Sequence, residues 1–469
     1  MSELPSGWTR AAIRDVLWRD EHERSLVQGW SPQCEKGAAA AETEWAVLKT
    51  TAIQYGEFLS DENKRLPADL SPRPELALRA GDLLITCAGP RRRCGVPCLV
   101  GEDHPRRIIS GKMYRFRADT RIIAPDYLLG ALRTCEMQTQ IDAAKTGISD
   151  SGLNLTHERF LRLDVPVGPL AEQRRIVAKI DSLSAKSKRA RDRLDHMPRL
   201  VERYKQAVLE AAFEGRLSRE PDTIARGWPS RSVGSVVTRV VAGKNLRCEE
   251  RPPTSSERGV VKVSAVTWGR FDPAAAKTLP REFSPPENTR IRTGDFLISR
   301  ANTLELVGAV VIVETAPENL FLSDKVLRLE MPPGCGRWLL WFLRSPPGRR
   351  AIEGAATGNQ LSMRNLSQEA LRAIQVPWPV PDVQARTLTR ISEAFAWIER
   401  VAAETASARK LIDRVDIAVL SKAFRGELVK PNPADEPASV LLERIRGGRV
   451  ALSQVRTGRG KRRPTIAMI

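Results

Sequence analysis

The chain has 469 residues, more than one hydrophobic core usually supports, and its 42% apolar and 28% charged residues are typical of a soluble protein of two to four domains. No run of about 18 apolar residues could span a bilayer and the first residues lack the pattern of a secretory signal, so a membrane protein is excluded and a cytoplasmic location is expected. Lysine and arginine outnumber aspartate and glutamate by 75 to 56, which gives a net charge of +19. This charge favours nucleic acid as the partner, although a protein from a generally basic proteome would have the same charge.

Residues 1–168 show short apolar runs separated by turn residues, the pattern of a mixed α/β domain with a twisted sheet. One run, Asp82–Cys87, leads into Arg91-Arg92-Arg93, which would place three guanidinium groups at a sheet edge. Arginine contacts guanine bidentately or clamps phosphates, so the three are candidate DNA contacts; a solvated charge cluster is the alternative.

Seven scattered cysteines, an odd number, argue against a disulfide framework and for a reducing compartment. Only Cys87, Cys94 and Cys98 lie close together, and their spacing differs from the paired C-x2-C arrangement of a structural zinc site. We therefore expect ordinary thiols and no metal.

Long amphipathic helices are predicted over residues 169–217 and 380–428, where apolar residues recur at three- and four-residue steps. Pro198 lacks an N–H and should break or kink the first helix. Gly215 and Gly426 stand where a left-handed residue would end each helix. Because neither apolar stripe is stable alone in water, we expect the helices to pack as an antiparallel coiled coil.

An internal repeat relates residues 145–218 to residues 356–429 at a constant offset of 211. Upstream, Gly81-Asp82 recurs as Gly294-Asp295 at an offset of 213, so small insertions separate the copies. Residues 218–379 therefore form a second domain of the same kind. The expected fold is α+β, with two mixed α/β domains separated by two long helices packed as an antiparallel coiled coil and related by a pseudo-twofold internal repeat.

Candidate contacts in the second domain follow from the repeat. Arg300 suits guanine and the amide of Asn302 suits adenine, with bracing of the loop as the alternative for both. Lys112 and Lys325, at equivalent positions, are candidate phosphate contacts.

Backbone N–H groups of a Thr-Gly loop near the end of each domain could receive a phosphate, although the loop is equally explained as a plain turn. The loop residues are Thr146 and Gly147 in the first copy and Thr357, Gly358, Asn359 and Gln360 in the second.

Residues 429–469 are expected to form a short helix followed by a basic tail. Eight lysine or arginine residues and no acid follow Glu443, at positions 444, 446, 449, 456, 459, 461, 462 and 463. This composition predicts a disordered or weakly helical arm that adds nonspecific affinity for DNA.

The order of these motifs resembles that of one known family. Each domain opens at Gly-Trp and closes with Thr-Gly, Asn-Leu, Val-Pro and Gln before a long helix that ends Ala-Phe-x-Gly-x-Leu. Together with the segments Pro169–Val177, Ala207–Leu217 and Ser299–Gly308, these features are similar to those of Type I restriction-modification specificity (S) subunits. The first domain departs from the pattern at Thr86–Arg93, and Val383-Gln384 replaces the family's Glu-Gln before the second helix.

The resemblance implies a non-catalytic subunit whose two target-recognition domains, 1–168 and 218–379, each read one half of a bipartite double-stranded DNA target. The long helices would set the unread spacer between the half-sites. Two methyltransferase (M) subunits would dock on the chain and methylate an adenine in each half-site, and restriction/translocase (R) subunits would cleave unmethylated DNA. S-adenosylmethionine, ATP and Mg would serve these partners, with no cofactor bound by this chain.

Catalysis within the chain is disfavoured, because neither the motifs of a methyltransferase nor a P-loop occurs at a plausible place. We therefore expect no catalytic residues. Two alternatives stay open: the specificity domain of a related stand-alone DNA modification complex, and a non-catalytic protein adaptor, for which a charge of +19 has no use.

Overall fold

A computed structural model describes residues 4–35, 41–217, 227–244, 246–267, 269–360 and 363–459. The chain divides into two compact units: the first unit is Met1–Arg193 with Ala408–Ile469, and the second unit is Leu194–Ser407. Each unit therefore joins one of the predicted domains to parts of both predicted helices. In the described residues, we find no helix with the length and apolar character needed to cross a membrane.

The first unit is built around the strand Leu83–Thr86, whose four side chains are all buried. This strand pairs antiparallel with Met113–Phe116 and Pro97–Leu99, and Leu26–Gln28 completes a four-stranded sheet. A second sheet has the order Asn63–Arg65, Ala46–Leu48, His104–Ile108 and Ala77–Leu78. Short ladders join Thr9–Ala12 to Asp164–Val167, Ala88–Gly89 to Leu153–Asn154, and Ile53–Gln54 to Glu57–Phe58. The short helices before the long pair are Ile13–Val16, Pro125–Leu132, Cys135–Ala144 and His157–Leu161.

The second unit has the same plan, with Phe296–Ser299 as its fully buried central strand. The main sheet has the order Arg239–Ala242, Val326–Glu330, Phe296–Ser299 and Val310–Ile312. The other ladders are Ala276–Thr278 with Gly259–Val261 and Leu320–Phe321, then Ala301–Asn302 with Met363–Asn365 and Thr357–Gln360, and finally Ser230–Ser232 with Gln375–Pro377. The shorter helices are Val233–Val236, Cys335–Arg344, Pro346–Ala355 and Gln368–Ala373.

One apolar run, Val260–Val266, is predicted as a strand but changes conformation part-way. Gly259–Val261 is a strand, whereas Val263–Val266 forms a 3₁₀ turn closed by the Ala265 N–H on the Lys262 carbonyl at 3.1 Å. The turn buries its apolar side chains against the same core that a strand would have used, so hydrophobicity alone could not separate the two structures.

The first long helix runs over Leu170–Asp195 and again over Met197–Phe213, with the break predicted at Pro198 confirmed. The second is continuous over Pro381–Phe424. Gly215 and Gly426 follow the two helix ends with φ of 80° and 73°, as predicted for residues that end a helix in the left-handed region.

Within each unit the two long helices run antiparallel. In the first unit Ile176 shares a core with Phe424, and further along the same helix Arg191 pairs with Asp413 at 2.9 Å. In the second unit Lys205 lies 3.7 Å from the Glu399 carboxylate. A long helix pair is therefore part of the fold.

The C-terminal segment differs from the predicted arm. It is helical from Ala438 to Arg459, and its N-terminal end docks on the first domain, where the Ala438 N–H donates to the Gly7 carbonyl at 2.9 Å. Leu441 and Leu442 are buried in this contact. The described part of the segment is therefore helical and not disordered, while Lys461, Arg462 and Arg463 lie outside it.

Acidic partners from the first domain explain why this basic segment folds. Arg446 pairs with Asp15 at 2.6 Å and Arg449 with Asp119 at 2.8 Å. Although burial raises the pKa of Asp119, hydrogen bonds from Arg121 and Arg449 outweigh it and the pKa is lowered. The charges of Arg446 and Arg449, which look uncompensated in the sequence, are therefore compensated by residues more than 300 positions away.

At the end of the outer strand of each main sheet, a glycine allows the chain to pass very close to the backbone of another segment. Gly29 follows Leu26–Gln28 and Gly243 follows Arg239–Ala242. A Cβ at Gly243 would overlap the Leu322 carbonyl, and one at Gly29 would overlap the equivalent carbonyl in the first unit. No side chain fits at either position.

We predict that Gly243→Ala destabilises the second unit by about 1–3 kcal/mol, because backbone must move to admit the methyl group. Chemical denaturation, followed by hydrogen exchange of the Phe296–Ser299 strand, measures the effect. The matched control is Gly354→Ala, a helical position with open space around it, which should be neutral or slightly stabilising. Equal stability of the two variants would contradict the prediction.

Candidate nucleic-acid interface

A buried hydroxyl holds the loop that follows the central strand of each unit. In the second unit Ser299 Oγ accepts from the Ala309 N–H at 3.1 Å, and in the first unit Thr86 Oγ1 accepts from the Val96 N–H at 3.0 Å. Each hydroxyl also donates to a carbonyl inside its own loop. The two loops are therefore closed in the same way, although their sequences differ.

In the first unit, backbone hydrogen bonds bring the predicted site segments together. The Cys87 N–H donates to the Lys112 carbonyl at 2.8 Å, and the Leu155 N–H donates to the Cys87 carbonyl at 2.8 Å. Thr146 and Asn154 form an antiparallel bridge beside them. The basic loop, Lys112 and the Thr-Gly loop thus form one cluster.

The second unit repeats these connections. The Arg300 N–H donates to the Lys325 carbonyl at 2.8 Å, and the Leu366 N–H donates to the Arg300 carbonyl at 2.9 Å. Thr357 pairs with Asn365 in the adjacent ladder. Three segments that are distant in sequence therefore meet at the end of the main sheet in each unit.

The three consecutive arginines of the first unit have different environments. Arg91 donates from Nε and Nη2 to the Asp150 carboxylate at 3.1 and 3.0 Å, and this hydrogen bond raises its pKa. Arg93 turns inward and donates to backbone carbonyls, including that of Ile53 at 2.7 Å. Arg92 is exposed and has no hydrogen bond or ion pair with any described residue. Arg93 therefore braces the loop, and Arg92 is the arginine that is available to DNA.

Arg300 and Asn302, the two predicted base readers of the second unit, lie directly after its central strand Phe296–Ser299. Arg300 uses Nε to donate to Asn365 Oδ1 at 3.3 Å, and its two Nη groups have no partner among the described residues. Asn302 Oδ1 accepts from the Thr303 N–H at 2.9 Å, which orients the side-chain amide. Lys325, like Lys112 in the first unit, is exposed.

The Thr-Gly loops are turns rather than open phosphate cradles at their first residue. The Thr146 N–H donates to the Asn154 carbonyl at 2.7 Å, so it is unavailable to a phosphate. Gly147 and Gly358 both lie at positive φ, 139° and 133°, which a residue with a side chain rarely adopts. The side chains of Asn359 and Gln360 fall outside the described part of the structure.

Sequence reasoning missed an arginine in the strand beside the central strand of each unit, half-buried at Arg115 and buried at Arg328. Arg115 donates to the Glu75 carbonyl at 2.9 Å and Arg328 to the Asn288 carbonyl at 2.6 Å, and burial lowers the pKa of Arg115. The two arginines occupy equivalent positions. Arg115 pairs with Leu84 and Arg328 with Leu297, each in the strand that directly follows the lysine of its unit. An arginine at the same position of an apolar strand in both copies was the signal that could have found them.

The cysteines of the first unit show no sign of a metal site. Cys87, Cys94 and Cys98 are buried free thiols, and burial raises the pKa of Cys87 to about 11 and that of Cys98 to about 12. Nowhere in the described residues do three or more His, Cys, Asp or Glu side chains lie close enough to hold a metal ion.

No protein-family model matches the chain. Along 98% of its length it is 23% identical to the specificity subunit of the Type I restriction enzyme EcoKI of Escherichia coli strain K12, covering 99% of that protein. It is 21% identical to the StySPI specificity subunit of Salmonella potsdam, over 98% of this chain and 99% of that one. Its curated homologues are Type I restriction enzyme specificity subunits. The EcoEI specificity subunit of E. coli is 31% identical over 45% of this chain and 34% of its own length.

Two solved structures share the fold of these specificity subunits. A chain from a study of complex assembly and conformational transition in the type I R-M system matches with a TM-score of 0.63 and 20% identity, over 91% of this chain and 100% of that one. The HsdS subunit from Thermoanaerobacter tengcongensis matches with a TM-score of 0.55 and 20% identity, over 91% and 99%. The resemblance predicted from the sequence motifs is confirmed.

We predict opposite phenotypes for two adjacent arginines. Arg93→Ala should lower the free energy of unfolding by about 1.5–3 kcal/mol, because charged hydrogen bonds to the loop backbone are lost. Arg92→Ala should leave stability unchanged and weaken DNA binding. Thermal denaturation and equilibrium DNA binding of both variants test this, and a stable Arg93→Ala protein with weakened binding would contradict the bracing role.

Proposed function

We propose that this chain is the non-catalytic DNA-recognition subunit of a Type I restriction-modification complex and reads a bipartite target, one half-site per α/β domain. The proposal rests on one observation. In both units the loop after the central strand, the lysine segment and the Thr-Gly loop meet at the end of the main sheet. Similarity to specificity subunits along nearly the whole chain supports it.

The charges at these two clusters suit duplex DNA. Exposed lysines, Lys112 and Lys325, are placed to contact phosphates, which position a protein on DNA without reading sequence. The Nη groups of Arg300, which have no partner among the described residues, suit the O6 and N7 acceptors of guanine, and the amide of Asn302 suits adenine. A protein-only adaptor would have no need of cations that lack an acidic partner in the described part of the chain.

The proposal extends to partners and spacing. Two methyltransferase subunits and the restriction/translocase subunits would carry out the chemistry, with S-adenosylmethionine, ATP and Mg bound by them and not by this chain. The long helices, packed as an antiparallel coiled coil, would set the unread spacer between the half-sites. Calorimetry of the chain alone with S-adenosylmethionine or ATP tests the non-catalytic role, and binding of either at micromolar affinity would contradict it.

We predict that mutations distinguish the residues that read bases from the residues that contact phosphates. Arg300→Ala or Asn302→Ala should reduce discrimination only in the half-site read by the second domain, by about 1–3 kcal/mol against the correct base. Lys325→Ala should weaken all sequences alike and reduce the salt dependence of binding. Competition binding to half-site variants at two salt concentrations measures both effects.

The control for this experiment is Lys112→Ala, the equivalent change in the first domain, which should also weaken all sequences without changing the preferred bases. Loss of discrimination spread equally over both half-sites in Arg300→Ala would refute the model of two independent readers.

A further inference from the structure

One apolar side chain of the first unit is fully in solvent. Ile148 exposes 108% of the reference area, whereas Val380, the next of the exposed large apolar residues in the described part, exposes 64%. Single exposed apolar residues are common on protein surfaces and need no explanation by themselves. The position and the surroundings of Ile148 are what distinguish it.

The loop that carries Ile148 is held in one conformation. Its two ends are joined by the Thr146–Asn154 bridge, and a tight turn is closed by the Gly152 N–H on the Ser149 carbonyl at 3.1 Å. The Arg91 N–H donates to the Asp150 carbonyl at 2.9 Å, and the side chains of the same two residues form an ion pair at 3.0 Å. Ile148 is therefore presented by a fixed hairpin and not by a mobile loop tip.

The repeat places a base-reading residue type at the same position of the second domain. Gly147 and Gly358 share a positive φ and directly precede Ile148 and Asn359, which are related by the offset of 211. Asparagine is the side chain that pairs bidentately with adenine. Positions 148 and 359 thus follow the same unusual backbone conformation while carrying different side chains, as positions that read different bases would.

We propose that Ile148 determines specificity in the first half-site by packing on the methyl group of a thymine in the major groove. The inference rests on the proposed function and deepens it. The major groove is wide enough for an α-helix or a two-stranded ribbon and therefore also admits a narrow loop closed by one bridge, and the thymine methyl is the one apolar group that a base pair presents there. The exposed Arg92, on the loop that Arg91 ties to the hairpin, is available to hold the neighbouring phosphates.

The test removes the methyl group from the DNA and the side chain from the protein. The full-length chain, co-purified with its proposed methyltransferase subunit, is first used to select its target from random duplexes. Each thymine of the first half-site is then replaced by uracil, which differs only in lacking the methyl group. Affinities are compared for the unaltered chain, Ile148→Ser and Ile148→Val.

At one thymine position, uracil should weaken binding of the unaltered chain about fourfold, the effect of one buried methyl group at about 0.8 kcal/mol. Ile148→Ser should bind the thymine and uracil duplexes equally, and Ile148→Val should restore the difference. The second half-site should be unaffected throughout. Ile417→Ala, a change at an exposed isoleucine on the second long helix, is the matched control and should behave as the unaltered chain.

Three results would overturn the inference: no thymine whose methyl group matters, a methyl effect that persists in Ile148→Ser, or a loss in Ile148→Ser that is uniform over all sequences. The last would indicate a wedge or a nonspecific contact. If the complex shows no sequence preference at all, the proposed function itself fails, and that outcome is visible at the selection step before any uracil duplex is used.

Discussion

Both units depend on the contact between the phenylalanine that ends a long helix and an aromatic ring of an α/β domain. Phe424 packs on Tyr127 with ring centroids 4.8 Å apart, and Phe213 packs on Trp338 at 4.9 Å. Burying a phenylalanine contributes about 1.5–3 kcal/mol, and an aromatic pair adds about 0.5–1.5 kcal/mol. In the second unit the helix directly precedes its domain, whereas in the first unit it comes far later in the chain. The end of the chain must therefore return to its first domain for that domain to be completed.

That return explains the C-terminal helix. Once Phe424 is anchored, the chain continues past Gly426 and Asp435 pairs with Arg175 of the first long helix at 2.7 Å. The helix that follows brings Arg446 and Arg449 to carboxylates of the first domain. In the sequence, a run of basic residues that no acidic residue follows predicts an arm that binds polyanions. The prediction cannot take account of acidic residues that the fold brings close from distant parts of the chain. The same limit applies to Arg91, whose partner Asp150 lies in a different loop.

The sequence predicted the parts of the fold that depend on local or periodic signals. The long helices, the break at Pro198 and the glycines that end the helices follow from residue chemistry within a few positions, and the structure has all of them. It also marked equivalent segments of the two copies, because the repeat aligns them, and the structure brings these segments together in each unit. It could not separate Arg92 from Arg93, since the difference arises from backbone carbonyls near residue 53 that only the tertiary fold brings close. Nor could it separate strand from 3₁₀ turn in Val260–Val266, because both the strand and the turn bury apolar side chains.

The loop after the central strand has the same backbone frame in the two units although its sequence differs. The loop backbone is set by groups beneath it: the hydroxyl of Thr86 or Ser299, and a positive-φ glycine, Gly95 or Gly308, whose missing Cβ leaves room for an isoleucine of the helix below. None of these groups needs the identity of the exposed loop residues. The buried Cys87 stands where the second unit has the half-buried Arg300, and the backbone hydrogen bond to the lysine segment is kept in both units. Because the frame is held by the hydroxyl and the glycine beneath it, the loop sequence differs between Thr86–Arg93 and Ser299–Asn302 while these backbone connections stay the same.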